Sequence, residues 1–578
     1  MSRELPSVAP SVTAALVAAL SPRLRRRLDT GIAKLADRPV ERDGAVVRIA
    51  LDDATDLELH APDGTVRSTD AVRCGCLLAP ECLHRAAIAS AAPVADDTDS
   101  EEIEGSSEEE PAAQQPSVRP ETATAEQRAA ARALHSAAAD VLEAGTDGAG
   151  AVLQAGLLRA AHTARLAGLH RAAASAVSVV TALRAARAAD PAYRLDDLVA
   201  RLRDVLTVAH RVPAAEGIEL TGLRGTARQP YRPDGSLRLY GLFSEPVVTA
   251  SGYAGAVTWT ADATGRLYQV SDVAPGGAGR AVGAADRAVR IGDTALSHRE
   301  LSRAGLAVSG ATVSPSGRLG AGAGVRAVAA AGAGWREEPL DRLWKVPVAE
   351  QIARALSGGH DLLFLEVTLA GTAAEAAGEC LLAECGGVAL RLTRAHDDPA
   401  LPCRDNLRLL AAARGSGLRV VARLTPAAHP RAQLLAAEHP TVAGERVDLG
   451  FDRLQRADLP AVPASLAPAA SLAPAASPAP EEAPVHLLRR RVQQAVSGGR
   501  RVLSFPGDSA GDVRRLGRSG LATAGDLLEA LHGAAAERSR DVFGRLLPTD
   551  PDRFARAWLA AARYTDELDR ALCAAAWT

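Results

Sequence analysis

Residues 74–84 read Cys-Gly-Cys-Leu-Leu-Ala-Pro-Glu-Cys-Leu-His, which places Cys74, Cys76, Cys82 and His84 close together in the chain. Three thiolates and one imidazole form a soft, four-coordinate donor set of the kind that closes around zinc. Residues two apart on an extended chain point the same way, so Cys74 and Cys76 can grip one ion from a strand end. Gly75 removes the crowding between them. Pro80 and Glu81 fit a turn into a helix. Cys82 is then expected at that helix's N-terminus, where the dipole favours a thiolate, with His84 in the first turn. The protein itself fills all four positions and leaves none for water or substrate, so the expected metal role is structural. The alternative is that the cysteines are buried as small apolar groups.

The elements that must hold this motif are legible around it. Ser21-Pro22 is an N-cap with a first-turn proline, and Leu24, Leu28, Ile32 and Leu35 follow at helical spacing. Asp43-Gly44 is a turn. Residues 46–51 and 55–61 read as strands, and Pro62-Asp63-Gly64 turns the chain into a third extended run over 65–72. A short Ala-rich helix is expected from about Glu81 to Ala91. Residues 1–93 are thus expected to form one unit. Residues 94–123 form an acidic linker, because 96–110 hold nine acids and no base.

Order is expected to return at Thr124, whose Thr-Ala-Glu-Gln matches a capping box. Residues 124–213 are Ala/Leu/Arg-rich, with breaks at Gly145–Gly150, near Gly168 and at Asp190-Pro191, which predicts a bundle of four helices. Residues 214–456 carry short β-branched runs at 236–242, 256–260, 266–273, 306–313, 361–369 and 418–424, with helices at 348–356 and 405–414. That pattern suits an antiparallel α+β region and is compatible with two small barrels. Residues 457–484 are a Pro/Ala spacer in which Ala-Ser-Leu-Ala-Pro-Ala occurs twice in tandem. Residues 485–578 are expected to be helical, with Asp550-Pro551 opening the last long helix. The fold class expected is therefore multidomain α+β: a small ββα finger, a helical bundle, a β-rich core and a helical C-terminal region.

A chain of 578 residues is too long for one core, and 47% hydrophobic residues imply a folded protein. Aromatics make up only 3%, so the cores must be built from Ala, Val and Leu. Lysine occurs only at Lys34 and Lys345, and the net charge of −3 gives no global polyanion-binding footprint. Seven unevenly spread cysteines do not make a secreted disulfide framework, and no uncharged apolar run is long enough for a membrane span. The apolar stretch Val12–Leu20 is followed by a basic run instead of a cleavage site, so it reads as a helix of the mature protein. A cytoplasmic location is expected.

Two basic clusters stand out locally. Arg23, Arg25, Arg26 and Arg27 precede the metal motif, and Arg73 and Arg85 flank its ligands, so together they could contact a phosphate backbone. Against this, residues 1–90 hold twelve bases and twelve acids, the balance of an ordinary solvated face. Residues 486–520 carry eight arginines (Arg489, Arg490, Arg491, Arg500, Arg501, Arg514, Arg515 and Arg518) against Asp508 and Asp512, without interleaved aromatics. Cys380, Cys385, His396 and Cys403 are better read as core thiols and a lone imidazole than as a second metal site. Gly507-Asp508-Ser509-Ala510-Gly511 matches a nucleophile elbow, with 501–505 before it as a candidate short strand. Only His532 follows it and no acid–histidine order is available, so a plain turn is the better reading. The glycine-rich segments lack a following Lys-Ser or Lys-Thr. His162, His170 and His210 carry no motif. No catalytic constellation emerges, and a non-enzymatic protein is expected.

Cys-x-Cys followed by Cys-x-His, after a β-hairpin and leading into a helix, resembles the SWIM zinc finger, whose motif Cys74, Cys76, Cys82 and His84 match without departure. The match covers about residues 40–92. The whole chain resembles the stand-alone actinobacterial type. The resemblance implies a structural zinc ion and a recognition module for DNA, RNA or protein partners. It also implies an assembly whose ATPase is supplied by another chain. A scaffold that binds only proteins, with no nucleic-acid contact, is the alternative.

Overall fold

The computed structural model describes residues 5–36, 38–52, 55–95, 121–191, 193–226, 231–249, 253–292, 294–322, 324–375, 378–398, 400–401, 405–460, 483–504, 507, 509–537, 541–543, 545 and 550–578. The acidic run at 96–110 and the tandem hexapeptide lie outside them. The fold mixes helices with several sheets and ends in helices. It divides into two compact units, one of Met1–Arg228 with Glu482–Thr565 and one of Gln229–Glu481 with Asp566–Thr578.

In the first unit, β1 (Ser7–Val8) leads into helix α1 (Pro10–Ala19), and α2 (Pro22–Arg25) and α3 (Leu28–Ala36) follow. The apolar stripe expected to run through one helix is therefore split between two, with Ser21 capping the first through the Leu24 N–H. Strands β2 (Glu41–Asp43), β3 (Val46–Asp52), β4 (Thr55–His60) and β6 (Val72–Cys74) form an antiparallel sheet in the order β2-β3-β4-β6. Strand β5 (Thr65–Val66) pairs with β1 instead. The extended run expected over 65–72 is interrupted because the Ser68 hydroxyl accepts from Asp70 N–H and starts a 3-10 turn at Thr69–Ala71.

Alternation along β3 sends Val47, Ile49 and Leu51 inward, where they join Leu57, Leu59 and Val72 beneath α1, α3 and α4 (Leu83–Ala91). Each such buried side chain contributes about 1.5–3 kcal/mol. Gly31 on α3 makes the helix contact close, since a Cβ there would meet Leu83 at 3.2 Å.

Helices α5 (Ala125–Gly148), α6 (Ala151–Leu166), α7 (His170–Arg187) and α8 (Leu195–Arg211) follow, then α9 (Gly217–Arg224). Thr124 and Gln127 form the capping box that starts α5. The sheet is not isolated from these helices. Ala151 and Ala155 of α6 enter its core, Ala151 N–H donates to Asp29 at 3.2 Å, and Arg184 of α7 donates to the Ala92 carbonyl at 2.5 Å.

In the second unit, β7 (Arg232–Val248), β8 (Tyr253–Ala261) and β9 (Leu267–Pro275) form a meander. Helices α10 (Gly277–Val282) and α11 (His298–Leu301) precede β10 (Gly305–Val313), which returns beside β7, and β11 (Arg326–Ala330) pairs with β10. Segment 317–320 bonds in parallel to Gln269 of β9 and antiparallel to the end of β10, so the pairing closes on itself. After α12 (Arg342–Lys345) and α13 (Val348–Leu356) the same order recurs. Strands β12 (Leu362–Glu375), β13 (Gly378–Cys385) and β14 (Val388–Arg394) form a second meander. Helix α14 (Asn406–Ala412) follows, β15 (Gly417–Leu424) returns beside β12, and β16 (Arg431–Glu438) bonds antiparallel to β15 and parallel to β14. Strand β17 (Arg446–Asp448) extends the edge at β16.

The two sheets meet through Phe243, Trp259, Trp335, Trp344 and Phe364, whose rings pack about one another. Tyr268, Val308 and Leu319 belong to one hydrophobic core of this unit, and Leu365, Leu381 and Leu434 to another.

Helices α15 (His486–Gly498), α16 (Arg500–Leu503), α17 (Ser509–Arg518), α18 (Ala522–Ala536) and α19 (Pro551–Ala576) complete the chain. Residues 501–503, a candidate strand from sequence, are helical. The sequence reading counts 124–213 and 485–578 as separate domains. In the structure Leu134, Leu158 and Leu206 share one core with Leu488, Leu528 and Trp558. Small side chains allow this close meeting of helices. Gly145 (φ 68°) and Gly499 (φ 70°) touch backbone to backbone: a Cβ on Gly499 would stand 2.4 Å from the Glu143 carbonyl oxygen. Gly499→Ala is therefore expected to cost about 2–4 kcal/mol, from the left-handed φ plus the clash. Urea unfolding checks this, with Gly517→Ala, which has open space in α17, as the control expected to be neutral or slightly stabilising.

Candidate metal centre

Strand β6 presents Cys74 at its end, in register with Leu57, and Gly75 N–H bonds to the Asp56 carbonyl at 3.0 Å. The chain then turns, with Ala79 N–H on the Cys76 carbonyl at 3.0 Å, and Cys82 becomes the N-cap residue of α4. Cys82 is buried, and the other three ligand residues are half-buried. The four donor atoms all lie within 4.8 Å of one another, and Cys74 Sγ is 3.8 Å from His84 Nδ1. A tetrahedral zinc ion with Zn–S bonds of about 2.3 Å needs ligand edges near 3.8 Å, so a soft divalent cation fits this donor set. Among the described residues this is the one group that gathers three or more potential metal donors.

The electrostatics of the bare cluster point the same way. Burial pushes the Cys74 thiol up to about 12, and burial likewise raises Cys82. At Cys76 burial also resists ionisation, but the Leu78 N–H and the two neighbouring thiols outweigh it and the net shift is downward. One thiolate is thus favoured and two are resisted. A bound cation is the natural means of holding all three deprotonated.

Arg85, expected as a phosphate contact, has its guanidinium turned inward. It is 6% exposed and donates to the carbonyls of Val72 (2.5 Å), Thr69 (2.5 Å) and Pro80. It ties the strand, the 3-10 turn and the ligand loop together, and its burial turns it away from solvent. Arg25 is half-buried and donates to the Ala18 carbonyl. Arg23, Arg26, Arg27 and Arg73 are exposed. Sequence reasoning missed Leu77 and Leu78, which stand out from the ligand loop, fully exposed and 65% exposed.

The remaining candidates lie outside this cluster. Cys380 and Cys385 are buried, and burial raises both thiols. His396 lies 3.4 Å from Glu245, and Cys403 is outside the described residues. Ser509 opens α17 and Asp508 is outside the described residues. The ring of His532 is held at the Leu503 carbonyl, 3.1 Å away. Of the C-terminal arginines, Arg500 is buried against the carbonyls of Ala534 and Ala535, and Arg491 pairs with Asp512 at 3.3 Å. Arg490, Arg501, Arg514, Arg515 and Arg518 are exposed.

A cleft of about 350 Å³ in the first unit is lined by Arg132, His135, His210, Asp552 and Arg556. Asp552 bonds both His135 (3.1 Å) and Arg556 (2.9 Å), so the cleft's main anion partner is already the protein's own. No helix of the described residues is long and apolar enough to cross a membrane. Comparison with protein family models, with curated proteins and with solved structures finds no match to this chain.

Proposed function

We propose that about residues 40–92 are a SWIM-type zinc module and that the protein is a non-enzymatic binder of nucleic acid, working alongside an ATPase supplied by another chain. The observation that carries the zinc reading is the convergence of Cys74, Cys76, Cys82 and His84 within 4.8 Å. The nucleic-acid reading is supported by Arg23, Arg26, Arg27 and Arg73, which are exposed. Zinc would supply a fixed tetrahedral anchor, and the chain's own arginines would meet phosphates. We read the two closed rings of strands as small five-stranded barrels of one connectivity.

A salt titration of binding to labelled DNA and RNA tests this. Affinity is expected to fall steeply with salt, with a slope of about 0.9 per phosphate contact on duplex DNA. Arg23→Glu with Arg26→Glu is expected to weaken binding about tenfold at low salt. Absence of binding at low salt removes the nucleic-acid reading.

A second reading has its own observation. Leu77 and Leu78 expose apolar surface on the ligand loop, which suits a protein partner. If Leu77→Ser abolishes capture of a partner protein while leaving oligonucleotide affinity intact, the scaffold reading holds.

A further inference from the structure

The cleft of about 350 Å³ in the first unit is assembled from three helices. Helix α5 supplies Arg132, His135 and Ser136, which share one face because the last two sit three and four residues after the first. Helix α8 supplies His210 from its last turn, and α19 supplies Asp552 and Arg556 from its first two turns.

Charge around this cleft does not cancel. Asp552 is held through both carboxylate oxygens, with Oδ1 3.1 Å from His135 Nδ1 and Oδ2 2.9 Å from Arg556 Nη2. The His135 side chain is 12% exposed, and burial pushes its pKa down against the pull of Asp552, so the imidazole is neutral near pH 7. Asp552 and Arg556 therefore balance each other, and Arg132 and His210 remain. Both are exposed, and among the described residues neither has an ion pair or a side-chain hydrogen bond. The cleft is left with one uncompensated guanidinium, an imidazole on a second helix, the remaining N–H groups of Arg556 on a third, and the Ser136 hydroxyl.

That donor set selects among ligands. The excess positive charge repels a metal cation. Donors arriving from three helices suit a tetrahedral dianion, which offers acceptor oxygens in as many directions. A carboxylate presents two oxygens in one plane and is served by a single guanidinium fork. The volume lies at the small end of ligand pockets, enough for a phosphate with a small group attached and too little for a run of nucleotides.

We infer that this cleft binds a phosphate monoester, with Arg132, Ser136, His210 and Arg556 donating to its oxygens and Asp552 holding Arg556 in place. The site goes beyond the zinc-module reading and requires neither zinc nor the arginines assigned to nucleic acid. A small phosphorylated metabolite and the 5′-terminal phosphate of an oligonucleotide present the same dianion.

Isothermal titration calorimetry of the full-length protein tests this with glycerol phosphate, and with a short oligo-dT carrying either a 5′-phosphate or a 5′-hydroxyl. A phosphorylated probe is expected to bind one to one with Kd below about 1 mM. Arg132→Ala should weaken it about tenfold, and His210→Ala about threefold. Both substitutions remove exposed side chains, so thermal unfolding without phosphate should stay as in wild type. Arg490→Ala removes an exposed arginine on α15 and should leave Kd unchanged. Glycerol phosphate binding that depends on Arg132 upholds the site with a metabolite as its source. If only the 5′-phosphorylated oligonucleotide gains affinity over its hydroxyl twin, and Arg132→Ala removes that gain, the site is upheld with a nucleic-acid end as its source. Absence of saturable binding by both phosphorylated probes, unchanged affinity in folded Arg132→Ala, or an equal loss in Arg490→Ala overturns the inference.

Discussion

Removing the metal by chelation is expected to release residues 75–82 while the strands at 46–60 keep their protection against hydrogen exchange. The ligand loop has little else to hold it. Leu77 and Leu78 face solvent, and beyond the donors the loop is tied by the Ala79–Cys76 bond, by Gly75 on Asp56 and by Arg85 on the Pro80 carbonyl. The sheet is different, because Val47, Ile49, Leu57 and Leu59 are buried beneath α1, α3 and α4 and the same core takes in Ala151 and Ala155. The motif alone leads one to expect that residues 40–92 unfold together without metal, as small zinc domains do. The shared core limits the loss to the loop and its junction with α4. At free metal a thousandfold above Kd the bound ion contributes about 4 kcal/mol to the folded state. Native mass spectrometry should show one divalent ion per chain, lost in His84→Ala. Hydrogen exchange that is identical in the loop with and without chelator would sink the metal-anchor reading.

What the sequence revealed, it revealed where the cause is local. Donor types and spacing at 74–84 need no tertiary information. The Thr124 capping box and the helix at Val348–Leu356 are likewise written in neighbouring residues. Strand β16 went unread for the opposite reason. Arg-Ala-Gln-Leu-Leu-Ala-Ala-Glu has helical propensity, and only its pairing with β14, β15 and β17 makes it a strand. Arg85 was misleading for a similar cause. Its position beside a ligand suggests an outward role, but three carbonyls brought together by the 3-10 turn and the loop draw it inside. The common core of α5–α8 with α15, α18 and α19 was hidden because Ala-rich helix faces specify closeness without specifying a partner.

Glu245→Gln is expected to be among the most destabilising single substitutions, and its cost should shrink in acid. Glu245, on β7, is 5% exposed and takes a two-pronged contact from Arg423 of β15, at 2.8 and 3.2 Å. The Trp259 indole donates to it at 2.9 Å, and His396 Nε2 stands 3.4 Å away. Burial opposes its ionisation, but these neighbours outweigh burial and hold the carboxyl down to about 2. A glutamine keeps the size and the indole bond but leaves the Arg423 charge with Asp361, at 3.2 Å, as its remaining partner. Breaking a buried pair from one side costs about 3–5 kcal/mol, and Asp361 places this case at about 3. The folded-state value lies below the ordinary one of 4.5, so the stabilisation is complete above that pH and disappears as pH falls through about 2. Urea midpoints of wild type and variant should therefore differ most near neutrality and converge between pH 4.5 and 2. A gap that stays constant across that range would show that the lost stability came from packing and not from the buried charge.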